Sequence, residues 1–434
     1  MKNKKIFIGL VEIAGYYSNL RKGFNELSIE AVFVDLSANK YQYDSKDNGE
    51  NLLITFARYS SIKFAITPKS NIFAKIGWKV IQNISCFFLF LWAIANFDIF
   101  IFGFNSSFLE FADLPFLHLF KKRIIYMFNG SDSRPPYLSG GYSLNGDKDD
   151  SKISECIKQA KKKKKIISKI DKYADIIINY PPQSCFHTRK FISGLFIGIP
   201  FDINKTPEIH NNKINDDLVR ILHCPSKPAL KGTDKIRKVI DSLKTKGRLI
   251  QYKEIIGRPN SEVLDALRDC DFVVDELFSD TPLAGFGTEA AAYGKPTVVG
   301  GYYSAYVNSD VPKEVIPPSL FCHPDEIEEA IDKLICDKDF RIELGKKAHR
   351  FVSENWSARA VAEKYLMLIN NEYPSHWLYD PNSITYFHGW GFQEEKAKEL
   401  IRALVKSGGP QVLQLYDKPE VQARLLKFAF AANS

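Results

Sequence analysis

Residues 272–301 read FVVDELFSDTPLAGFGTEAAAYGKPTVVGG. The run Phe272-Val273-Val274, with an aspartate on either side, has the length and composition of a buried strand end. A polar loop leads to Gly285-Phe286-Gly287-Thr288-Glu289 and then into a helical run over residues 290–293. Gly294, Lys295 and Pro296 stop that helix, with glycine just past its end and proline beyond. Thr297-Val298-Val299 opens the next strand.

The turn between strand and helix carries the chemistry. Gly285 and Gly287 lack a Cβ, so the backbone there can come close to a ligand. A helix that starts at this point offers free N–H groups and the positive end of its dipole. Glu289, expected in the first helical turn, can accept two hydrogen bonds from a sugar diol. The arrangement suits a nucleotide, with hydroxyls on the carboxylate and phosphates on the amides. A strand-turn-helix with a capping glutamate and no ligand fits the same residues.

Strand and helix signals alternate on both sides of this unit. Before it, strands are expected at 5–10, 31–35, 98–103, 123–128 and 175–179, with helices at 18–27, 74–95 and 151–173. The polar segment 39–51 reads as a loop. After Ile199-Pro200 the composition shifts, and NKTPEIHNNKINDD (residues 204–217) has the polar character of a linker. Alternation then restarts, with strands at 219–223 and 250–256 and helices at 232–244, 261–268, 324–335, 340–355 and 358–370. Such a pattern predicts parallel sheets covered by helices on both faces. Two doubly wound halves facing a cleft follow: residues 1–200, a linker at 201–217, and residues 218–370. The tail, 371–434, should pack on the body through helices at 393–406 and 419–430, with the aromatic patch TYFHGWG (385–391) packing rather than binding.

Length and composition agree with this division. A chain of 434 residues exceeds what one compact core holds. The formal charge of +8 is concentrated near residue 160, which favours an anionic partner over general nucleic-acid binding. Seven cysteines are scattered without a C-x-x-C pair, which argues for a reducing compartment. The start, MKNKKIFIGLVEIAG, reads as a first buried strand rather than a signal peptide. The longest apolar run, CFFLFLWAIA (86–95), falls short of the ~20 residues a membrane span needs. A cytoplasmic protein, peripheral at most at the inner face of the membrane, is the expectation.

A second loop belongs with the first. HCPSKPALKGT (223–233) follows a strand and places Lys231 just ahead of a helix, where a cation and helix amides can meet phosphate together. Both loops would lie at the carboxyl ends of parallel strands in one half, the edge where open α/β sheets bind ligands. HCPSKPALKGT, DFVVDELF, GFGTEAAAYGKPTVV and a closing helix after ENWS together resemble the family 4 glycosyltransferases of the GT-B fold. The resemblance covers residues 219–369 well and the first half more loosely. It implies a nucleotide-sugar in the second domain, with Glu289 on the ribose, Lys231 on the diphosphate, and Gly285, Phe286, Gly287 and Thr288 around the donor. Retention of anomeric configuration is implied in the same way, and no cofactor beyond the donor substrate.

Two positions depart from the family pattern. Thr281 stands where an acidic residue eight places before the glutamate is usual, leaving Asp275, Glu276 or Asp280 as substitutes. Ser226 stands near the place of an arginine, so Lys227 or Arg258, the latter in the post-strand turn GRPN (257–260), would supply that charge. In the first half, FNGSDSRPP (128–136) looks like the G-S-D-x-R turn of related transferases, an acceptor-side feature. Asn129, Gly130, Asp132 and Arg134 are its candidates, with Asp132 as the general base in the absence of a histidine. Gly15, in the early loop 9–17, is a further acceptor-side candidate, and a plain strand-to-helix connection explains that loop equally. An Asx-turn stabilised by a local Asp132–Arg134 pair explains the same turn.

Two further features are weighed against simpler readings. Asp269-Cys270-Asp271 imitates a D-x-D metal motif but bridges a helix end and a strand, so no metal is assigned to it. Lys161, Lys162, Lys163, Lys164 and Lys165 lie on a helix interleaved with isoleucines, which suits an anionic lipid surface; a solvated helix face suits it equally. The sequence thus points to a glycosyltransferase moving a sugar to a lipid-linked or glycan acceptor in cell-surface polysaccharide assembly. A sugar-nucleotide epimerase of the same plan, or a non-catalytic membrane-associated assembly partner, are the alternatives.

Overall fold

The protein was studied as a computed structural model that describes residues 4–37, 51–144, 150–205 and 217–431. The polar segment expected as a loop lies outside these up to residue 50, as does most of the linker, 206–216.

Two sheets form two domains. The first contains β1 (Ile6–Leu10), β2 (Ala31–Asp35), β3 (Ile99–Gly103), β4 (Arg123–Met127), β5 (Ile176–Asn179) and β6 (Phe191–Ser193). The second contains β7 (Val219–His223), β8 (Ile250–Glu254), β9 (Phe272–Val274), β10 (Thr297–Gly300) and β11 (Leu320–Cys322). A short β12 (Leu378–Tyr379) from the tail adds an antiparallel edge to β6, giving the order β12-β6-β5-β4-β3-β1-β2. The second sheet, β11-β10-β9-β7-β8, is parallel throughout. Runs such as IFIGL, IFIFG and IIIN are buried along their whole length, because helices cover both faces. Strand β8, IQYKE, alternates half-buried and exposed residues, as an edge strand does.

Each sheet has a core on each face. On one face of the first sheet, Ile6, Ile8, Tyr17 and Leu20 pack with Val361, Ala362, Tyr365 and Leu368. The helix Ala358–Asn370, grouped by sequence with residues 218–370, therefore lies on the first domain. The Tyr16 and Tyr365 hydroxyls are 3.0 Å apart, and Arg123 donates to the Leu368 carbonyl at 2.8 Å. Periodicity gives that helix a buried stripe without saying which sheet it covers. The chain thus crosses between domains twice, and the two crossings run side by side: Phe201 N–H donates to Trp356 O (2.9 Å) and Ala358 N–H to Phe201 O (2.8 Å). The tail helices Glu394–Gly408 and Pro419–Phe430 share the opposite core of the first domain, through residues such as Leu400, Leu404 and Leu425.

The crossover from β2 to β3 holds two helices where the alternation calls for one. Besides α1 (Tyr16–Glu26), the first domain has α2 (Leu52–Ile66) paired antiparallel with α3 (Ile72–Asn96). Ser60 Oγ meets Ser85 Oγ at 2.7 Å, and Lys75 donates to the Thr67 carbonyl at 3.0 Å.

Candidate functional site

Between the domains lies a cavity of about 590 Å³, within the size range of small-molecule sites. Its walls are the loops that leave the carboxyl ends of strands. Val11 to Ala14 follow β1, Ser37 follows β2 and Phe104 follows β3. Opposite them stand Cys224 to Lys227 and Lys231 after β7, Gly257, Arg258 and Asn260 after β8, and Asp275 after β9. This is the edge at which parallel α/β sheets carry ligands.

The second-domain wall holds most of the donor-side residues expected from sequence: Ser226, Lys227, Lys231, Arg258, Gly285, Phe286 and Glu289. The helix Gly285–Ala292 begins at the glycine itself, so Glu289 stands one turn in rather than in the first turn. Ala284 gives that helix no side-chain cap, and its amino end borders the cavity at Gly285 and Phe286. Gly287 and Thr288 do not line this cavity. Gly287 is packed where an added Cβ would come 2.6 Å from Leu283, and the Thr288 hydroxyl donates to Ala284 O at 2.9 Å. Thr288 faces a smaller adjoining cavity of about 220 Å³, whose wall also includes Gly15 and Lys22. Glu289 and Asn260 border both cavities.

Glu289 is buried, and Asn260 donates to its Oε1 at 2.7 Å. Burial pushes its carboxyl up to about 7, against the Asn260 hydrogen bond. The group therefore changes charge near neutrality, as a buried carboxyl in a binding cleft often does. Lys231 lies 3.2 Å from Asp275 Oδ1 and 2.9 Å from Glu276 Oε2. Burial alone would lower its ammonium, but the two carboxylates outweigh that and hold it above its ordinary value. Burial likewise pushes Asp275 up, past the opposing pull of Lys231. The acids considered as substitutes at the Thr281 position are thus already engaged: Asp275 and Glu276 with Lys231, and Asp280 with Arg134.

The first-domain candidates are placed differently. Only Gly15, left-handed at φ 78 ahead of α1, borders either cavity. Asp132 is fully buried, accepts from the Asn129 amide at 3.0 Å and does not line these walls; burial pushes its carboxyl up to about 6. Neither part of the simpler reading holds: the Asp132 carboxylate bonds back to the amide three residues before it rather than to one two residues on, and the local Asp132–Arg134 pair is absent. Arg134 reaches across to the second domain, Nε 2.8 Å from Asp280 Oδ2. Asn129 accepts from the Tyr17 hydroxyl at 2.9 Å, and Gly130 supplies the φ of 126 that the turn requires.

Sequence reasoning missed Glu12 and Asn260 on the wall, whereas Asp275, considered there as a substitute acid, does line it. Glu12 accepts from the amides of Ile13 (2.7 Å), Tyr17 (3.2 Å) and Ser18 (2.9 Å), so it caps α1 from within the chain. The position of Asn260 in the post-strand turn GRPN was the available signal for it. Asp271, of the D-x-D look-alike, accepts from the Arg220 amide at 2.7 Å, tying β7 to β9. The lysine run does not present five charges on one face. Lys163 donates to Arg134 O (2.7 Å) and Lys164 to Asp417 Oδ2 (2.6 Å), while Lys161, Lys162 and Lys165 are exposed.

No family model matches the sequence, and no curated protein matches it significantly. Solved structures do match. The crystal structure of S. aureus TarM aligns with 85% of this chain and 99% of its own at 12% identity, with a TM-score of 0.51. Anabaena HepE in complex with UDP-glucose aligns with 85% of this chain and 99% of its own at 11% identity, TM-score 0.46. S. aureus MnaA with UDP aligns with 85% of this chain and 97% of its own at 13% identity, TM-score 0.42. At these identities the likeness to TarM establishes the fold: the paired parallel-sheet domains are a GT-B fold.

Proposed function

We propose that the protein transfers a sugar from a nucleotide donor, held in the cavity between the domains, to a hydroxyl of a lipid-linked or glycan acceptor. The observation that carries this reading is Glu289: a buried carboxyl on a cavity wall that also holds the start of a helix without a side-chain cap from Ala284 and two lysines, Lys227 and Lys231. A ribose diol fits the carboxylate. The diphosphate then falls toward the helix start, with Lys231, Lys227 and Arg258 as its cations. The acceptor would approach along the first-domain loops after β1, β2 and β3. Charge that builds on the leaving diphosphate is stabilised by groups fixed before the reaction begins, which is where such sites gain most. Retention of configuration and a place in cell-surface polysaccharide assembly at the inner face of the membrane complete the reading.

Thermal-shift titration with UDP, GDP and their sugars tests the donor site. A rise in Tm that saturates with one nucleotide, and is lost in Glu289→Ala, is the expected result; no shift with any nucleotide overturns the reading. Incubation with the donor alone separates the enzyme classes. A transferase hydrolyses it slowly, whereas an epimerase interconverts it.

A further inference from the structure

The outward face of the α2–α3 pair is largely apolar. On α3, Phe73, Ile76, Val80, Ile84, Phe87 and Leu91 recur every three or four residues and are 44–90% exposed. On α2, Leu52, Phe56, Tyr59 and Ile66 repeat the spacing and are 48–83% exposed. A stripe at this period normally faces a core. Here the core side is a different stripe, with Leu89, Phe90 and Ala93 packed on the first domain. Contiguous apolar surface of this extent marks a place of contact rather than a solvent face.

Charge identifies what covers it. Residues 51–97 contain Arg58, Lys63, Lys69, Lys75 and Lys79 and not one aspartate or glutamate. Lys63 occupies the gap between Tyr59 and Ile66 in the α2 stripe, over the Tyr59 ring at 5.4 Å. Tyr59 and Trp78 meet edge to face at 5.8 Å, the side chains that prefer the boundary between lipid and water. Helix α3 is long and apolar enough to cross a bilayer, but its buried stripe ties it to the domain, so it can lie on a membrane and not through it. We infer that the α2–α3 pair docks the protein on an anionic lipid bilayer, apolar stripes in the acyl boundary and lysines at the headgroups.

Helix α2 is tied to a strand end whose following loop reaches the cavity. Arg58 Nε donates to the carbonyl of Asp35 at 2.8 Å, and Ser37, two residues on, lines the cavity wall. An acceptor resident in the bilayer would then meet the cleft from the first-domain side. The docking itself does not depend on the sugar-transfer reading.

The test is co-sedimentation of the full-length protein, without nucleotide, with vesicles of phosphatidylcholine alone or with added phosphatidylglycerol. Binding should require phosphatidylglycerol, weaken with salt and shift the tryptophan emission to the blue. Phe73→Asp/Ile76→Asp, both positions exposed, should lower the bound fraction about tenfold or more. The same variant should keep its circular dichroism and any nucleotide-induced rise in Tm. Lys63→Gln/Lys69→Gln should weaken binding and flatten its salt dependence. Failure of the unaltered protein to sediment overturns the proposal, as does equal sedimentation of the Phe73/Ile76 variant or equal binding to uncharged vesicles. A dimer in solution that this variant dissociates, without vesicle binding, would assign the face to a second copy of the chain instead. Nucleotide stabilisation without vesicle binding would reject the docking face and leave the transfer reading standing.

Discussion

Arg134 of the first domain and Asp280 of the second form an ion pair that solvent barely reaches, their side chains 5% and 2% exposed. Gln183 adds a hydrogen bond to Asp280 at 3.3 Å, and the guanidinium lies 5.4 Å from the centre of the Trp390 ring. Trp390 in turn donates to Glu276 at 2.9 Å, while Gly391 N–H donates to Phe278 O at 3.0 Å. The aromatic tail segment therefore packs between the domains at the loop that follows β9. Removing one partner of a buried pair leaves an uncompensated charge. Arg134→Ala should lower stability by roughly 3–5 kcal/mol in urea unfolding, and Arg134→Met/Asp280→Leu should recover part of the loss. A double-mutant cycle with coupling near zero would show that the pair does not hold the domains together.

Glu289 links stability to pH in an unusual direction. Burial raises its carboxyl from 4.5 to about 7, so between these values the folded chain holds a proton that the unfolded chain has released. Its contribution is complete below about 4.5 and is lost as pH rises toward and through 7, by on the order of 3 kcal/mol. Glu289→Gln should therefore be more stable than the parent at pH 8, and its Tm should depend less on pH between 5 and 8. Nucleotide stabilisation should move oppositely, growing from pH 6 to 8 in the parent as the carboxylate forms and absent in the variant. A parent whose nucleotide-induced Tm shift is flat across this range would detach Glu289 from ribose binding.

Legibility differed between the two walls of the cleft for a physical reason. In the second domain, the groups on the cavity wall come from short loops beside strong strand signals such as FVV and TVV, so local sequence locates them. In the first domain, the turn at 128–136 could be read, but not the partnership of Arg134 with Asp280, because nothing local encodes a contact across 146 positions. Nor does the turn announce that Asp132 faces inward. The strand runs at 31–35 and 219–223 match β2 and β7 because they are apolar and bounded by polar residues. Helix α2 had no such signal, since its apolar residues are divided between a buried stripe and an exposed one.

Lys231 should matter for folding as well as for any ligand. It is shared by Asp275 Oδ1 and Glu276 Oε2, and the buried Asp275 Oδ2 has no hydrogen-bond partner. Lys231→Met leaves two adjoining buried carboxyls without their cation, with an expected loss of about 3–5 kcal/mol. With the cation gone, both carboxyls are pushed up by burial and mutual repulsion, so the variant should regain stability as pH falls and they take up protons. Lys231→Met/Asp275→Asn/Glu276→Gln should recover stability without recovering nucleotide binding. A single variant as stable as the parent at pH 8 would mean that the lysine is not the counter-charge the geometry makes it.

Gly23 decides whether the returning helix can dock. A Cβ at this position of α1 would lie 1.9 Å from the Ala358 carbonyl oxygen and 2.9 Å from the Ala362 side chain, too close for either to yield without moving backbone. In an isolated helix, alanine is favoured over glycine by roughly 1 kcal/mol, so local propensity predicts that Gly23→Ala stabilises. The contact predicts the reverse. Helix Ala358–Asn370 would be displaced from the first sheet, exposing part of the face that buries Tyr365 and Leu368, at a cost of roughly 2–4 kcal/mol. Because that helix follows the crossing paired at Phe201 and Ser357, the loss should appear together with faster proteolysis near residue 357. An unchanged or raised Tm in Gly23→Ala would mean that the two helices do not approach this closely, and would free the second crossing from the first domain.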